Sequence, residues 1–209
     1  NGLYQTAADT TGSPRTSSQV SPGDVRYVDI NKDGKITPDD KVLLGGSLPR
    51  YLYGGNIHLD YNGFDFSLAF QGVGKKQSRL SNDIVRPFAE AFGNVPAEMA
   101  GKFWSPDNTA AQNLKAVYPR LSTRSLSNNY LMSDFWLING AYFRLKNITL
   151  GYTLRQNSIR KTGIQSLRFY LSANDLFAIH HFPKYWDPEV ETYAYPIVTT
   201  LMAGATIKF

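Results

Sequence analysis

Within the last stretch, Val198 to Phe209, the residues from Thr200 onward alternate. Counting back by twos, Phe209, Ile207, Ala205, Ala203 and Leu201 form one set, and Lys208, Thr206, Gly204, Met202 and Thr200 the other. One set is wholly apolar and the other mostly polar or small, which predicts a strand between two different environments. The pattern recurs upstream. Tyr53, Gly55, Ile57, Leu59 and Tyr61 oppose Gly54, Asn56, His58 and Asp60. Asn62-Gly63 then supplies the two-residue hairpin signal, and Phe64, Phe66, Leu68 and Phe70 oppose Asp65, Ser67, Ala69 and Gln71 on the return.

Further strands are predicted from Ala141 and from Leu167. Ile148, Leu150, Tyr152 and Leu154 share one face, with Asn147, Thr149, Gly151 and Thr153 opposite. Nearer the start the phase slips, because Phe143 and Leu145 are apolar while Arg144 and Lys146 share parity with Ile148. A bulge, or the end of an apolar environment, accounts for such a slip. After a polar turn from Gln156 to Gln165, Leu167, Phe169, Leu171 and Ala173 oppose Arg168, Tyr170, Ser172 and Asn174.

The expected fold class is therefore all-β, with about five antiparallel strands. Their connections alternate between long and short, the outer-membrane habit of short periplasmic turns and long outer loops. Each strand has the roughly ten residues that cross a bilayer when tilted. Yet five strands cannot close a barrel, since the smallest have eight. Either the rest of a barrel lies upstream, or the sheet is a soluble sandwich that buries the same aromatics in a core.

Between the strands the alternation fails. Residues 1–22 are rich in Thr, Ser, Gly and Pro and read as a surface loop. Residues 75–138 form a long connection with short helical character at Asp83–Phe92 and Pro96–Trp104, of the length that carries function in a β protein. The boundaries that follow are a loop over 1–50, a strand hairpin over 51–74, a long loop over 75–138 and the last three strands over 139–209.

Composition sharpens the picture in few places. The chain has 13 Tyr and 12 Phe, an enrichment shared by strands and by the girdles of membrane barrels. It has no cysteine, so neither a disulfide framework nor a thiolate metal site. The net charge of +5 is scattered, without the basic block that tracks a nucleic-acid backbone. No run of about 18 apolar residues predicts a transmembrane helix, a test blind to barrels. The chain opens on Asn1 in a polar stretch, with neither an initiator Met nor a signal peptide, as a processed product or a piece of a longer chain would.

One local motif suggests a metal. Asp29, Asn31 and Asp33 occupy positions 1, 3 and 5 of an EF-hand-type loop, with Gly34 at the sharp turn. Lys35 would offer its carbonyl, Thr37 stands at position 9 and Asp40 at position 12. Oxygens at alternate residues converge on one hard cation, so a structural calcium ion is expected over 29–40. Two features oppose it: Asp40 replaces the longer bidentate Glu, and Val25 to Val28 reads extended rather than helical.

Catalytic signals are weak. His180 and His181 are adjacent and would point to opposite faces of a strand, which disfavours joint chelation. Glu189 and Glu191 could be read as an acid/base pair, but solvated carboxylates explain them more simply. There is no G-x-S-x-G and no phosphate-cradling glycine loop. The expectation is a non-enzyme. Trp104, Trp136, Tyr185 and Trp186 lie in or beside long loops, where aromatic faces stack on sugars, meet a partner, or simply pack the loop.

Several stretches resemble one family. They are P-G-D-V-R-Y-V-D-I-N-K-D-G-K-I at 22–36, L-G-G-S-L-P-R-Y-L-Y-G at 44–54, Y-N-G-F-D-F-S-L-A-F-Q-G-V at 61–73, Y-F-R-L-K-N-I-T-L-G-Y-T-L at 142–154 and L-R-F-Y-L-S-A-N-D-L-F at 167–177. F-W-S-P-D-N at 103–108, Y-P-R-L at 118–121 and the terminal Phe209 add to them. In this order they resemble the C-terminal part of the SusC/RagA-like TonB-dependent outer-membrane transporters of Bacteroidetes. The resemblance implies a 22-stranded transmembrane barrel of which this is the last portion, with a plug and a TonB-contacting segment upstream. It implies a SusD-like lipoprotein lid, oligosaccharide or peptide substrates, and contact with outer-membrane lipid. With the C-terminus at the periplasmic side, the loops over 1–50 and 75–138 would be extracellular. The competing expectation is a secreted calcium-binding β module for carbohydrate binding or adhesion.

Overall fold

A computed structural model describes residues 2–16, 19–79, 85–88, 93–124, 127–154, 163–190 and 194–209. The chain divides into two compact units, one of Asn1–Gly45 with Arg79–Leu137, the other of Gly46–Ser78 with Ile138–Phe209.

The second unit is a five-stranded antiparallel sheet. Its strands are β1 (Tyr51–Tyr61), β2 (Phe64–Gly74), β5 (Tyr142–Thr153), β6 (Ser166–His180) and β7 (Thr200–Lys208), side by side in that order. Two three-residue strands, β3 (Gln77–Arg79) and β4 (Leu137–Asn139), stand where the chain leaves the sheet and returns. Asn62 and Gly63 close the first hairpin with φ of 54° and 90°, the left-handed pair of a type I′ turn. Eleven residues give roughly 35 Å of strand, enough to cross a hydrocarbon layer of about 30 Å at a barrel's tilt.

The register aligns the predicted apolar sets into continuous rungs. Leu59, Phe66, Leu150, Leu171 and Ala203 are successive partners across all five strands. So are Tyr61, Phe64, Tyr152, Phe169 and Ala205. This face stays open: Leu59 is 61% exposed, Leu171 63% and Leu201 73%. Large apolar residues left bare along a whole sheet face mark an apolar environment.

The phase slip at Lys146 is a bulge. Ala69 pairs with Asn147 but Phe70 with Leu145, leaving Lys146 unopposed on the β2 side. On the other side Asp175 and Leu176 stand opposite it, with Asp175 at a φ of 49°. The extra residue returns Leu145 and Phe143 to the apolar face, where Phe143 meets the rings of Phe70 and Phe177 at 5.7 and 6.4 Å.

Among its described residues the other unit has short elements: a helix at Ala7–Thr11, another at Ala110–Leu114, and single turns at Pro38–Asp40, Ala97–Met99, Ser127–Tyr130 and Asp134–Trp136. The first helix has a full capping box, Thr6 with Asp9. The stretch over 1–22 keeps most of its described residues at the surface but is anchored by three apolar ones. Leu3, Tyr4 and Val20 are buried, and Leu3 joins Val25 and Trp104 in the unit's apolar core. Residues 83, 84 and 89–92 of the expected helical stretch at Asp83–Phe92, and most of the expected turn from Gln156 to Gln165, lie outside the described residues.

Candidate functional site

The sheet face opposite the apolar rungs carries the polar partners. His58, Ser67, Thr149, Ser172 and Met202 form one rung, and Asn56, Ala69, Asn147, Asn174 and Thr200 the next. Their side chains bond to each other: the Thr149 and Ser172 hydroxyls lie 2.7 Å apart, and the Asn147 amide donates to Asn174 Oδ1 at 2.7 Å. Asp65 on β2 and Arg168 on β6 pair across β5, with bonds of 2.8 and 2.5 Å. Gly151 makes the room, since a Cβ there would collide with both groups.

Near the bulge the same face carries a buried charge cluster. Arg144 is 3% exposed, and its guanidinium reaches Asp187 at 2.6 Å and Glu189 at 2.5 Å. Lys146 meets Asp175 at 2.7 Å and Glu189 at 3.4 Å, while the Gln71 amide donates to Glu189 at 3.0 Å. Three carboxylates thus surround two cations and clamp the segment around 187–189 to the sheet. A buried charge survives only when paired in this way. The reading of Glu189 as a solvated carboxylate is corrected, for its side chain is 12% exposed and ion-paired. Glu191 lies outside the described residues. The only sequence signal for this cluster was a pair of cations at the phase slip.

The other unit is tied by a buried polar knot. Asp24, 1% exposed, accepts from Arg120 Nε at 2.8 Å, Asn129 Nδ2 at 2.9 Å and the Ser21 backbone N–H at 2.8 Å. Asn129, fully buried, accepts from the Val25 N–H at 2.8 Å, and Trp136 Nε1 donates to its carbonyl at 2.7 Å. Gly23 sits against the Trp104 ring at a φ of 87°. Burial raises the Tyr27 phenol far above its ordinary pKa and pushes Tyr130 to about 12, so both stay neutral, and the Tyr27 hydroxyl donates to the Asn128 carbonyl.

The four aromatics expected to meet a ligand or partner divide. Trp104 is 8% exposed and Trp136 6%, the latter stacked on Tyr130 with ring centroids 5.5 Å apart. These two follow the packing alternative in this structure, beside the knot. Tyr185 is 76% exposed, with Lys184 Nζ 5.1 Å from its ring centre, and Trp186 is half-buried.

The loop over 29–40 folds on its own backbone. Asp29 accepts from the N–H groups of Lys32, Asp33 and Gly34 at 2.6 to 3.2 Å, and Asp33 from that of Lys35 at 2.8 Å. Asp40 accepts from Ile30 at 2.8 Å and from Thr37 at 2.7 Å, closing the loop. Backbone N–H donation, that of Thr37 first, holds the Asp40 carboxyl below its ordinary pKa. Gly34 takes the expected turn with φ of 83°. The oxygens are of the hard type that calcium takes. Among the described residues, no three His, Cys, Asp or Glu side chains are drawn together on one point.

No family model matches the chain. It is 28% identical to TonB-dependent receptor P3 of Formosa agariphila, over 100% of this chain and 21% of that protein. It is also 28% identical to TonB-dependent receptor SusC of Bacteroides thetaiotaomicron, over 99% of this chain and 19% of that one. The chain therefore spans about a fifth of the length of the curated relatives it matches. Among solved structures, the RagAB peptide transporter superposes with a TM-score of 0.62 at 20% identity, over 84% of this chain and 19% of that one. The RagAB peptide importer in its closed-closed state gives 0.63 at 19% identity, over 88% of this chain and 20% of that one. These relatives are receptors and transporters by name, in keeping with a non-enzyme. With its strands, its open apolar face and its motifs in order, the chain is similar to the C-terminal part of the SusC/RagA-like TonB-dependent receptors, and its all-β antiparallel fold matches a piece of such a β-barrel.

Proposed function

We propose that the complete protein imports oligomeric nutrients, oligosaccharides or peptides, through an outer-membrane barrel driven by TonB and capped by a SusD-like surface lipoprotein. The observation that carries this is the two-sided sheet: an unbroken apolar face for lipid, and a hydrogen-bonded polar face for the lumen. Both edge strands, β1 and β7, need partners, because lipid satisfies no backbone group. The rest of a barrel, the 22 strands of the resemblance included, supplies them. In this reading the C-terminus and the Asn62-Gly63 turn face the periplasm. The loops over 1–50 and 75–138 face outward with Tyr185 and Trp186, available to lid or substrate. A secreted adhesion module is disfavoured, since such a sheet would expose its apolar face to water.

Growth on a single oligomeric nutrient tests the reading. Cells lacking this gene, a SusD-like lipoprotein or TonB should each lose uptake, and the lipoprotein should co-purify with the complete transporter in detergent. Unimpaired uptake in the deletion strain, or residues 1–209 alone as a monodisperse detergent-free monomer, would overturn it.

The loop over 29–40 is proposed to hold a structural calcium ion on the outer surface, supported by its ligand spacing and by Gly34 at the turn. Weak extracellular sites of this kind bind at about 10⁻⁴–10⁻³ M. Millimolar calcium should protect the loop of the complete transporter from proteolysis and chelator should reverse that; equal cleavage in both would refute it.

A further inference from the structure

The polar knot around Asp24 also builds the wall of a cleft. The cleft, of about 630 Å³, is lined by Gln19, Ser21, Phe88, Arg120, Ser122 and Arg124 among others. Its charged lining is wholly basic. Arg120 spends Nε and Nη2 on Asp24, which leaves the Nη1 donors of its five N–H groups without a protein acceptor among the described residues. The Arg124 guanidinium is exposed and has no carboxylate partner among the described residues. The Arg124 N–H donates to Ser122 Oγ at 3.1 Å, and that hydroxyl keeps its own proton to donate.

The wall is fixed before any ligand arrives. Asp24 holds both the Ser21 backbone and the Arg120 guanidinium, and Asn129 holds Asp24. Phe88 is half-buried at the cleft with a φ of 58°. A bulky residue rarely takes that conformation, and such residues concentrate where a side chain must be presented in one direction. An aromatic face, two guanidinium groups and an amide with hydroxyls suit a polar chain that carries negative charge. Arginine forks match carboxylates in particular.

We propose that this cleft is a subsite for a carboxylate-bearing oligomer, with Arg124 as the anion receptor, Phe88 as the packing face and the Asp24 knot as the positioning support. The assignment rests on the import reading and narrows its substrate class. Two sources share the chemistry, an acidic oligosaccharide and an acidic peptide.

Calorimetric titration of the complete transporter in detergent separates them, with trigalacturonate and triglutamate as probes and maltotriose as the neutral control. At least one acidic probe should bind more tightly than maltotriose. Arg124→Gln should weaken it by about tenfold or more, the loss of one charge-assisted bond, while Arg124→Lys keeps much of the affinity. Phe88→Ala should weaken the same probe without changing its salt dependence. Loss for trigalacturonate alone assigns a glycan, loss for triglutamate alone a peptide, and loss for both recognition of the carboxylate itself. Acidic probes that bind no better than maltotriose, or unchanged affinity in Arg124→Gln and Phe88→Ala, would overturn the proposal. Uptake of a neutral oligomer by the same variants keeps the outcomes apart. Normal uptake with no acidic binding sinks only the subsite, and no uptake by the wild type sinks only the import reading.

Discussion

Arg168 on β6 reaches over β5 to hold Asp65 on β2, and Gly151 lies beneath the pair. Its Nε and Nη2 each meet one carboxylate oxygen, at 2.8 and 2.5 Å. The bond links strands that are not neighbours, so it braces three strands at once. Any side chain at 151 would enter its space. Gly151→Val should therefore separate the pair and lower stability by roughly 1–3 kcal/mol, the range for hydrogen bonds between charged groups. The readout is the temperature at which the complete protein loses its heat-resistant migration on gels. Adding Arg168→Gln should then change little, since the bond is already broken; fully additive losses would contradict the coupling.

Arg144 gives a larger effect. Its side chain is 4% exposed among carboxylates of Asp187 and Glu189. Arg144→Ala leaves Asp187 buried without its cation and Glu189 with Lys146 and Gln71 alone, which costs about 3–5 kcal/mol. The segment around 187–189 should come away from the sheet and become open to protease. Arg144→Ala combined with Asp187→Asn and Glu189→Gln should recover part of the loss. Cleavage unchanged in Arg144→Ala would show that the cluster does not hold that segment.

Strands and their faces were legible because period-2 alternation is a local property, and the hairpin because Asn62-Gly63 encodes its own turn. The phase slip between Leu145 and Asn147 even located the bulge. The knot was not legible. Asp24 and Arg120 stand 96 positions apart in the chain, and nothing local marks either as buried. Both lie inside motifs on which the family resemblance rested, at 22–36 and 118–121. The structure supplies the physical reason those motifs go together: one provides the acid, the other its guanidinium. For Trp104 and Trp136 the sequence left contact and packing open, because a tryptophan in a long loop carries no local mark of burial; in the structure both are buried within the connection.

Asp40 makes the loop over 29–40 sensitive to acid. Donation from backbone N–H groups keeps its carboxyl pKa below the unfolded value of about 3.9. The stabilisation is therefore present above the unfolded pKa and is lost as pH falls through the folded one. Amide hydrogen exchange at Ile30 and Thr37, whose N–H groups Asp40 accepts, should be protected at pH 6 and lose protection in strong acid. Asp40→Asn should remove most of that pH dependence. Equal protection at both pH values in the native protein would show that Asp40 does not organise the loop.

A charge scan along β5 tests the membrane face and the bulge together. Above the bulge, Ile148, Leu150 and Tyr152 pair with Leu68, Phe66 and Phe64 on the apolar side. Arginine at Leu150 should cost about 2–4 kcal/mol near the bilayer midplane, while arginine at Thr149, on the polar face, should cost far less. With strict alternation the next sensitive positions would be Lys146 and Arg144, which already carry charge. The bulge instead transfers sensitivity to Leu145 and Phe143, partners of Phe70 and Gly72. Plotted against residue number, the cost should follow period 2 from 153 to 147, slip by one at 146, and resume with the opposite parity. Folding yield of each variant into lipid vesicles, measured on the complete barrel, provides the scale. An alternation that runs through 146 without a slip would place the bulge wrongly, and the absence of any alternation would mean that this face does not meet lipid.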